Sequence, residues 1–320
     1  MITGTTAEAA VVPRIEVVDG ARNSETIARI SSDVMRWMTA LPERIDQLRV
    51  AIPSYRNWLA ILEGEPVGTA TCLEPPDMKE SAAAYGEVCV LPAARRRGVG
   101  TALLAHASAH ARLLGKSELE VSAFEDDPEG IRFGEKRGYS CIMRLRSLRL
   151  VVAKCPAPTV APPEELTITT LAERPDLAHG VWEVAAEAIP DIPIDSDVPM
   201  HPGTFDEFRS LTLTGARYIA DATFVALKDR EVVGYGQLTW QDPSRRVAYH
   251  HMLAVRRAFR GKGVASALKA AQIVWALENG VVELRTENEE RNTPVRAINK
   301  KYPYESIPDG LLLRGPIATG

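Results

Sequence analysis

Cysteine is scarce in this 320-residue chain: Cys72, Cys89, Cys141 and Cys155 stand far apart, with no C-x-x-C pair and no histidine cluster beside them. That spacing excludes a zinc site and a disulfide framework and leaves reduced, structural thiols. No apolar run approaches the roughly 18 residues that cross a bilayer, and the first residues, MITGTTAEAAVVPRIEVV, lack a charged segment followed by an apolar one. A cytoplasmic protein without a membrane partner is expected. A basic excess is missing too: 38 Lys and Arg against 42 Asp and Glu give a net charge of -4 and a pI near 6.0. A nucleic-acid partner is therefore not expected, because such binders carry a basic face and a high pI. The dinucleotide fingerprint G-x-G-x-x-G and the phosphate loop G-x-x-x-x-G-K-[ST] are both absent.

What is present is an ordinary globular composition, 45% hydrophobic and 25% charged, on a length that suits two domains. The stretch KCPAPTVAPPEE, residues 154–165, is a semi-rigid, proline-rich linker. It divides the chain into 1–153 and 166–320, and the second part repeats the first. Val90, Arg95, Gly98, Val99, Ala102 and Leu103 fall on Val255, Arg260, Gly263, Val264, Ala267 and Leu268 at one fixed offset. The same offset then sets Gly115, Glu118 and Leu119 on Gly280, Glu283 and Leu284. Agreement over that span, without a gap, indicates two copies of one domain.

Both copies read alike. NWLAILEGEPVGTATCL and TFVALKDREVVGYGQLTW each describe a hairpin, and YGEVCV and YHHMLAV short strands that enter a glycine turn. GTALLAHASAHARLLG and ASALKAAQIVWALENG carry apolar residues at helical spacing and stop at Gly115 or Gly280, as a C′ glycine would. SELEVSAF and VVELRTEN return as strands, and the helical segments SETIARISSDVMRWM and LAHGVWEVAAEAI precede the hairpins. The fold class is α/β (α+β), two tandem domains, each a mixed, mostly antiparallel sheet flanked by helices.

The turns carry the chemistry. A helix start leaves backbone N–H groups unpaired at the positive end of the macrodipole, glycine lets that backbone approach oxygen atoms closely, and nearby arginines add charge. A phosphate or pyrophosphate is the expected guest. The plain alternative is a helix start with solvated arginines.

Arg-x-x-Gly-x-Gly/Ala followed by an Ala/Leu-rich helix resembles the acetyl-CoA signature of the GNAT superfamily of N-acetyltransferases. The resemblance covers about Arg14 to Ala153 and again about Leu166 to the end. It implies that Arg95, Arg96, Arg97, Gly98, Val99, Gly100 and Thr101 in the first copy wrap a CoA pyrophosphate. In the second copy Arg260, Gly261, Lys262, Gly263, Val264, Ala265 and Ser266 would do the same. It also implies that main-chain groups of Val88 and Val90, or of Leu253, Ala254 and Val255, pair with pantetheine. Downstream, TENEERNTPVRAINKKYPY is similar to the T-x-N-x-x-x-N-x-x-M-x-x-x-N segment of tandem acetyltransferases of the mycothiol synthase type: Thr286, Asn288, Asn292 and Asn299 match, Val295 replaces the Met and Pro303 the usual Gly. The first copy has no such asparagines, although Gly138-Tyr139 matches the terminal Gly-aromatic pair. The resemblance makes the C-terminal copy catalytic and the N-terminal one degenerate or regulatory.

Acetylation of an amine needs a base for the amine proton and a donor for the departing thiolate. The tyrosine that many relatives place four residues before the Gly-aromatic pair is replaced by Gly134 and Asn299, which leaves water, Tyr302 or Tyr304 as the thiolate donor. For the base, Tyr249 occupies the position where many relatives have Glu, and it is followed by His250 and His251. Strand alternation sends one histidine to the cleft and the other away. His250 is the first choice and His251 the alternate, with ordinary strand packing the plain reading of either; in the first copy Glu87 is the only carboxylate on the strand. Between two helical segments, AIPDIPIDSDVPMHPGTFDEFRS offers Asp191, Asp195 and Asp197 to an ammonium substrate, or is simply a solvated loop.

The expected activity is thus acetyl transfer from acetyl-CoA to a primary amine of a small molecule by direct attack, in a monomer or homodimer with no metal. The alternatives are a non-catalytic CoA-binding protein and a tRNA-dependent aminoacyltransferase of tandem GNAT fold.

Overall fold

The structure is a computed structural model that describes residues 14–35, 37–194 and 198–318. In chain order the first half contains β1 (Ile15–Asp19), α1 (Ser24–Val34), α2 (Pro42–Ala51), β2 (Arg56–Leu62), β3 (Glu65–Leu73), β4 (Ala83–Val90), α3 (Val99–Leu113), β5 (Glu118–Phe124), α4 (Pro128–Glu135) and β6 (Ser140–Val151). The second contains β7 (Leu166–Thr170), α5 (Ala178–Ala188), α6 (Phe205–Thr212), β8 (Tyr218–Lys228), β9 (Glu231–Asp242), β10 (Val247–Val255), α7 (Val264–Glu278), β11 (Glu283–Glu289), α8 (Thr293–Asn299), β12 (Glu305–Ser306) and β13 (Gly310–Pro316). Residues 155–165 form neither helix nor strand. No helix among the described residues is long and apolar enough to cross a membrane.

The periodicities explain the elements. Positive φ at Glu63 and Gly64 folds β2 back on β3 in the turn geometry that matches strand twist. α3 buries Val99, Leu103, Ala107 and Ala111 at helical spacing, and α7 buries Val264, Leu268, Ala271 and Trp275 in the same way. Leu103 and Leu268 are fully buried; each stabilises its half by about 2 kcal/mol through area removed from water.

The strands form one sheet in the order β1-β2-β3-β4-β5-β13-β6-β11-β10-β9-β8-β7. Among the described strands only β4·β5 and β10·β11 are parallel. The order is palindromic, and its centre is crossed: the last strand of the first half, β6, pairs with β11, while the last strand of the second half, β13, lies between β5 and β6. Strand partnerships therefore cross the boundary read at the linker. Asp309, 5% exposed, ties the crossing down. Its Oδ2 accepts from Arg146 at 2.8 Å and Arg144 at 3.1 Å, and its Oδ1 accepts from the Ser147 amide at 3.2 Å.

Candidate active site

Two clefts open where the parallel strands part. β10 stays paired with β11 only from Val247 to Tyr249, and β4 with β5 only from Ala83 to Gly86. Beyond those points β11 follows β6 and β5 follows β13, so the later residues of β10 and β4 keep an unpaired main-chain edge toward the opening. Leu253, Ala254 and Val255 lie on one such edge, Val88 and Val90 on the other.

At the head of each cleft the chain turns into a helix through a left-handed glycine, Gly98 at φ 89° and Gly263 at φ 91°. A methyl group at Gly263 would meet only Pro163, at 3.9 Å, and one at Gly261 would meet nothing within 4 Å, so there is room for an oxygen ligand. The amide N–H groups of Val264, Ala265 and Ser266 precede the first intrahelical bond, from the Ala267 amide to the Gly263 carbonyl at 3.1 Å. They are free to donate, at the positive end of the macrodipole, as are those of Val99, Gly100 and Thr101. Arg260 Nε donates to the Val255 carbonyl at 3.0 Å and Arg95 Nε to that of Val90 at 3.3 Å, so both copies brace the turn alike. The turns thus fit a pyrophosphate. A cavity of about 360 Å³ beside the first is lined by Arg95, Arg96, Gly98, Thr101, Phe133 and Arg137. Arg95 there is paired with Asp127 and Glu129, and Arg97 with Glu63.

The clefts differ in depth. In the first copy β3 and β4 run in unbroken register from Gly68↔Val90 to Leu73↔Tyr85, and the cavity at Glu87 holds only about 100 Å³. In the second, His250 pairs with Leu238 and Met252 with Gln237, leaving His251 opposite no residue of β9. This is a β-bulge, whose extra residue is unpaired and whose local twist re-aims the side chains beyond it. Beside it is a cavity of about 390 Å³, lined among others by His250, His251, Leu253, Lys269, Glu287 and Asn288.

The bulge separates the two histidines. His250 is 7% exposed and points toward α7: its Nδ1 lies 2.9 Å from Gln272 Oε1 and its Nε2 2.8 Å from the Tyr304 hydroxyl. Gln272 Oε1 can only accept, so Nδ1 carries the proton and Nε2 accepts from Tyr304. Burial, and after it the neighbouring Lys269, holds His250 well below the ordinary histidine range, so it stays neutral. Lys269, 2% exposed, lies with Nζ 5.1 Å from the Tyr304 ring centroid and is held low by burial. His251 turns its accessible surface into the cleft; enclosure there first, and Arg44 and Arg217 next, lower it to about 4.

The other residues singled out in the sequence take varied positions. Tyr249 pairs with Thr239 and Arg285, and burial and then Glu287 raise its hydroxyl. Glu87, raised by burial, accepts from the Tyr85 hydroxyl at 3.2 Å in the small cavity of the first half. Asn288 and Thr286 are buried, with Asn288 Nδ2 donating to Thr286 Oγ1 at 3.0 Å. Asn292 occupies the N-cap position of α8 without a side-chain capping bond, and Asn299, 1% exposed, has both side-chain amide atoms buried with no partner among the described residues. Asp191 does not stand free in its loop. It forms ion pairs at 2.7 Å with both Arg257 and Arg260, which hold it down at about 2. Asp195 and Asp197 lie outside the described residues. The loop reaches the cavity instead through Ile192, Pro193 and Met200.

The sequence reading missed Gln272, Lys269 and Glu287. Glu287 lines the larger cavity on the face of β11 opposite Thr286 and Asn288; its Oε1 accepts from Ser147 Oγ at 3.1 Å, and burial raises its carboxyl. The polar TENE run was its signal: alternation sends Thr286 and Asn288 to one face and Glu287 to the other.

Two segments of the chain, residues 25–139 and 192–298, match the model of the acetyltransferase (GNAT) family. Over 97 residues the chain is 35% identical to the mycothiol acetyltransferase of Mycobacteroides abscessus, a match that spans 30% of this chain and 31% of that protein. Among solved structures, a tandem GNAT protein from the clavulanic acid biosynthesis pathway superposes with a TM-score of 0.73 at 19% identity, over 96% of this chain and 100% of the other. A GCN5-related N-acetyltransferase from Sphaerobacter thermophilus gives 0.63 at 19% identity, over 95% and 96%. At these identities the structural likeness speaks for the fold.

Proposed function

The chain belongs to the acetyltransferase (GNAT) family, and from that premise we propose that it is an acetyl-CoA-dependent N-acetyltransferase whose second half acetylates a primary amine of a small molecule. The observation that carries the assignment to the second half is the bulge at His251, which the first half lacks. An unpaired amide at the mouth of the cleft supplies what a thioester carbonyl needs as its oxygen gains charge. Arg260 to Ser266 would hold the pyrophosphate, the edge of Leu253 to Val255 the pantetheine, and Asn288 and Asn292, which line the larger cavity, the region beyond; Asn299 is too deeply buried to touch the cofactor. Acetyl-CoA supplies the activated acyl group, and the protein's residues handle the protons.

The amine nitrogen attacks the thioester carbonyl, the C–S bond breaks, and one proton leaves the nitrogen as another reaches the sulfur. Glu287, its carboxyl raised by burial, faces the cavity and is suited to take the amine proton. Tyr304, which donates to neutral His250, would be the hydroxyl that serves the thiolate, through the His250 that lines the cavity. His250 is then a positioning residue rather than the base.

Calorimetric titration with acetyl-CoA and an acetyl-transfer assay over an amine panel test the reading. Gly263→Glu, which blocks a left-handed turn, is expected to abolish turnover, whereas Gly98→Glu leaves it; the reverse pattern would move catalysis to the first half. A protein that binds acetyl-CoA and acetylates no amine would instead be a CoA-binding module.

A further inference from the structure

A second cavity, of about 320 Å³, meets the first at the bulge: Met200, His251 and Met252 line both. Its walls come from both halves, Arg44, Leu48 and Asp77 from one, His201 and Phe208 from the other. Through it a molecule held by Arg44 of the first half can touch the bulge of the second.

The electrostatics of this cavity are lopsided. Arg44 donates through Nη1 to Gln47 Oε1 and to the Leu211 carbonyl, both at 2.9 Å. Among the described residues its Nε and Nη2 donate to nothing, and no carboxylate forms an ion pair with it. Arg217, half-buried behind, donates only to carbonyls, those of Thr39, Trp240 and Gln241. It lies close enough to Arg44 and to His251 for their charges to be felt. The nearby carboxylates are committed elsewhere or raised by burial. Glu207 is held by Lys79 at 2.7 Å and by the Thr204 amide at 2.8 Å. Asp242 accepts from Ser244 and Thr39, and Glu87 from Tyr85. Asp77 also lines the cavity, makes no ion pair with Arg44, and is raised by burial, which favours its neutral form. A half-buried guanidinium with free donors, beside a second half-buried one, favours an anion, and its planar fork suits a carboxylate.

We propose that the acceptor is an amine that also bears a carboxylate, which Arg44 receives in the cavity between the halves while the amino group reaches the bulge at His251. The inference rests on the transferase reading and narrows its acceptor class. It also gives the first half a part in the reaction that does not depend on its own cleft: it supplies the specificity residue.

The test uses the full chain, acetyl-CoA, and matched pairs consisting of each protein amino acid and its carboxamide, with CoA release followed. The acid of a pair is expected to exceed its amide by about 10- to 100-fold in kcat/KM, the worth of one charge-assisted contact. Arg44→Gln should erase that preference through KM with kcat little changed, and Arg44→Lys should restore part of it; circular dichroism checks that both variants fold. A parallel arm, without donor, measures thermal shifts with N-acetyl amino acids and N-acetyl amino acid amides. Stabilisation by the acids alone, lost in Arg44→Gln, supports the inference. Equal handling of acids and amides in either arm, a preference untouched by Arg44→Gln, or no response to any acid overturns it. If acetyl-CoA fails to bind, the transferase reading falls, and the donor-free arm still decides whether Arg44 receives a carboxylate.

Discussion

Tyr304 donates its hydroxyl proton to Nε2 of His250 across 2.8 Å, while Gln272 fixes the other ring nitrogen at 2.9 Å. A phenol that follows α8 and packs against the core is thus oriented by an imidazole on the strand that bears the bulge. Removing the hydroxyl tests its part in proton delivery. Tyr304→Phe keeps the ring and its contact with Lys269 and is expected to lower kcat about 100-fold, as loss of a positioned acid does, with the KM for acetyl-CoA little altered. An unchanged kcat would return thiolate protonation to water.

The neutrality of His250 sets a pH dependence of stability. Its ordinary value is near 6.5, and burial holds it lower in the folded protein. Below pH 6.5 the unfolded chain takes up a proton that the folded one refuses, so stability is complete above that pH and declines as pH falls. The slope from this group is at most about 1.4 kcal/mol per pH unit. His251, held at about 4, acts in the same direction. Urea midpoints between pH 5 and 8 should fall toward pH 5, and His250→Gln should flatten the decline; midpoints that rise on acidification would contradict the assignment.

Asp309 fastens the crossed strands, and Asp309→Ala leaves the buried Ser147 amide without its acceptor. A loss of about 1–3 kcal/mol is expected from that unmade bond. Hydrogen exchange should quicken in β6 and β13 together, since each borders the other. Acceleration confined to β13 would mean that the two strands open independently.

Arg96 sits at φ 61°, at the place where the second turn has Gly261 at φ 74°. A left-handed arginine carries about 1 kcal/mol of strain that glycine does not. Arg96→Gly is expected to raise stability by up to that amount in urea unfolding, and a lower midpoint would show that the side chain contributes more than its backbone costs.

These outcomes divide along the line between local and non-local information. Hairpins, helices and the two turns were legible because their signals are local: two apolar runs around the charged turn of NWLAILEGEPVGTATCL, helical spacing ending at Gly115 and Gly280, and glycine where φ is positive. The bulge was not legible. It is a register shift between β9 and β10, set by how two strands match, and nothing in the letters YHHMLAV marks the unpaired residue. Alternation alone therefore could not say that His250 turns toward α7 and His251 into the cleft. Asp191 was placed in the right loop, but its partners Arg257 and Arg260 lie far along the chain, and the pairing is made only by folding. The same holds for Arg44: a charged residue on α2 reads as solvated until the other half closes over it.

The crossing of β6 and β13 also sets an order of assembly. A chain made from its N-terminus folds its early domains first, yet here the first half has a gap beside β5 until Gly310–Pro316 is available to fill it. Through synthesis of the whole second half, that edge of β5 is an open template for a strand from another molecule. Completion of either half awaits the other, so the protein matures as a single unit, and the interval before its last strand arrives is when it is most exposed to mispairing.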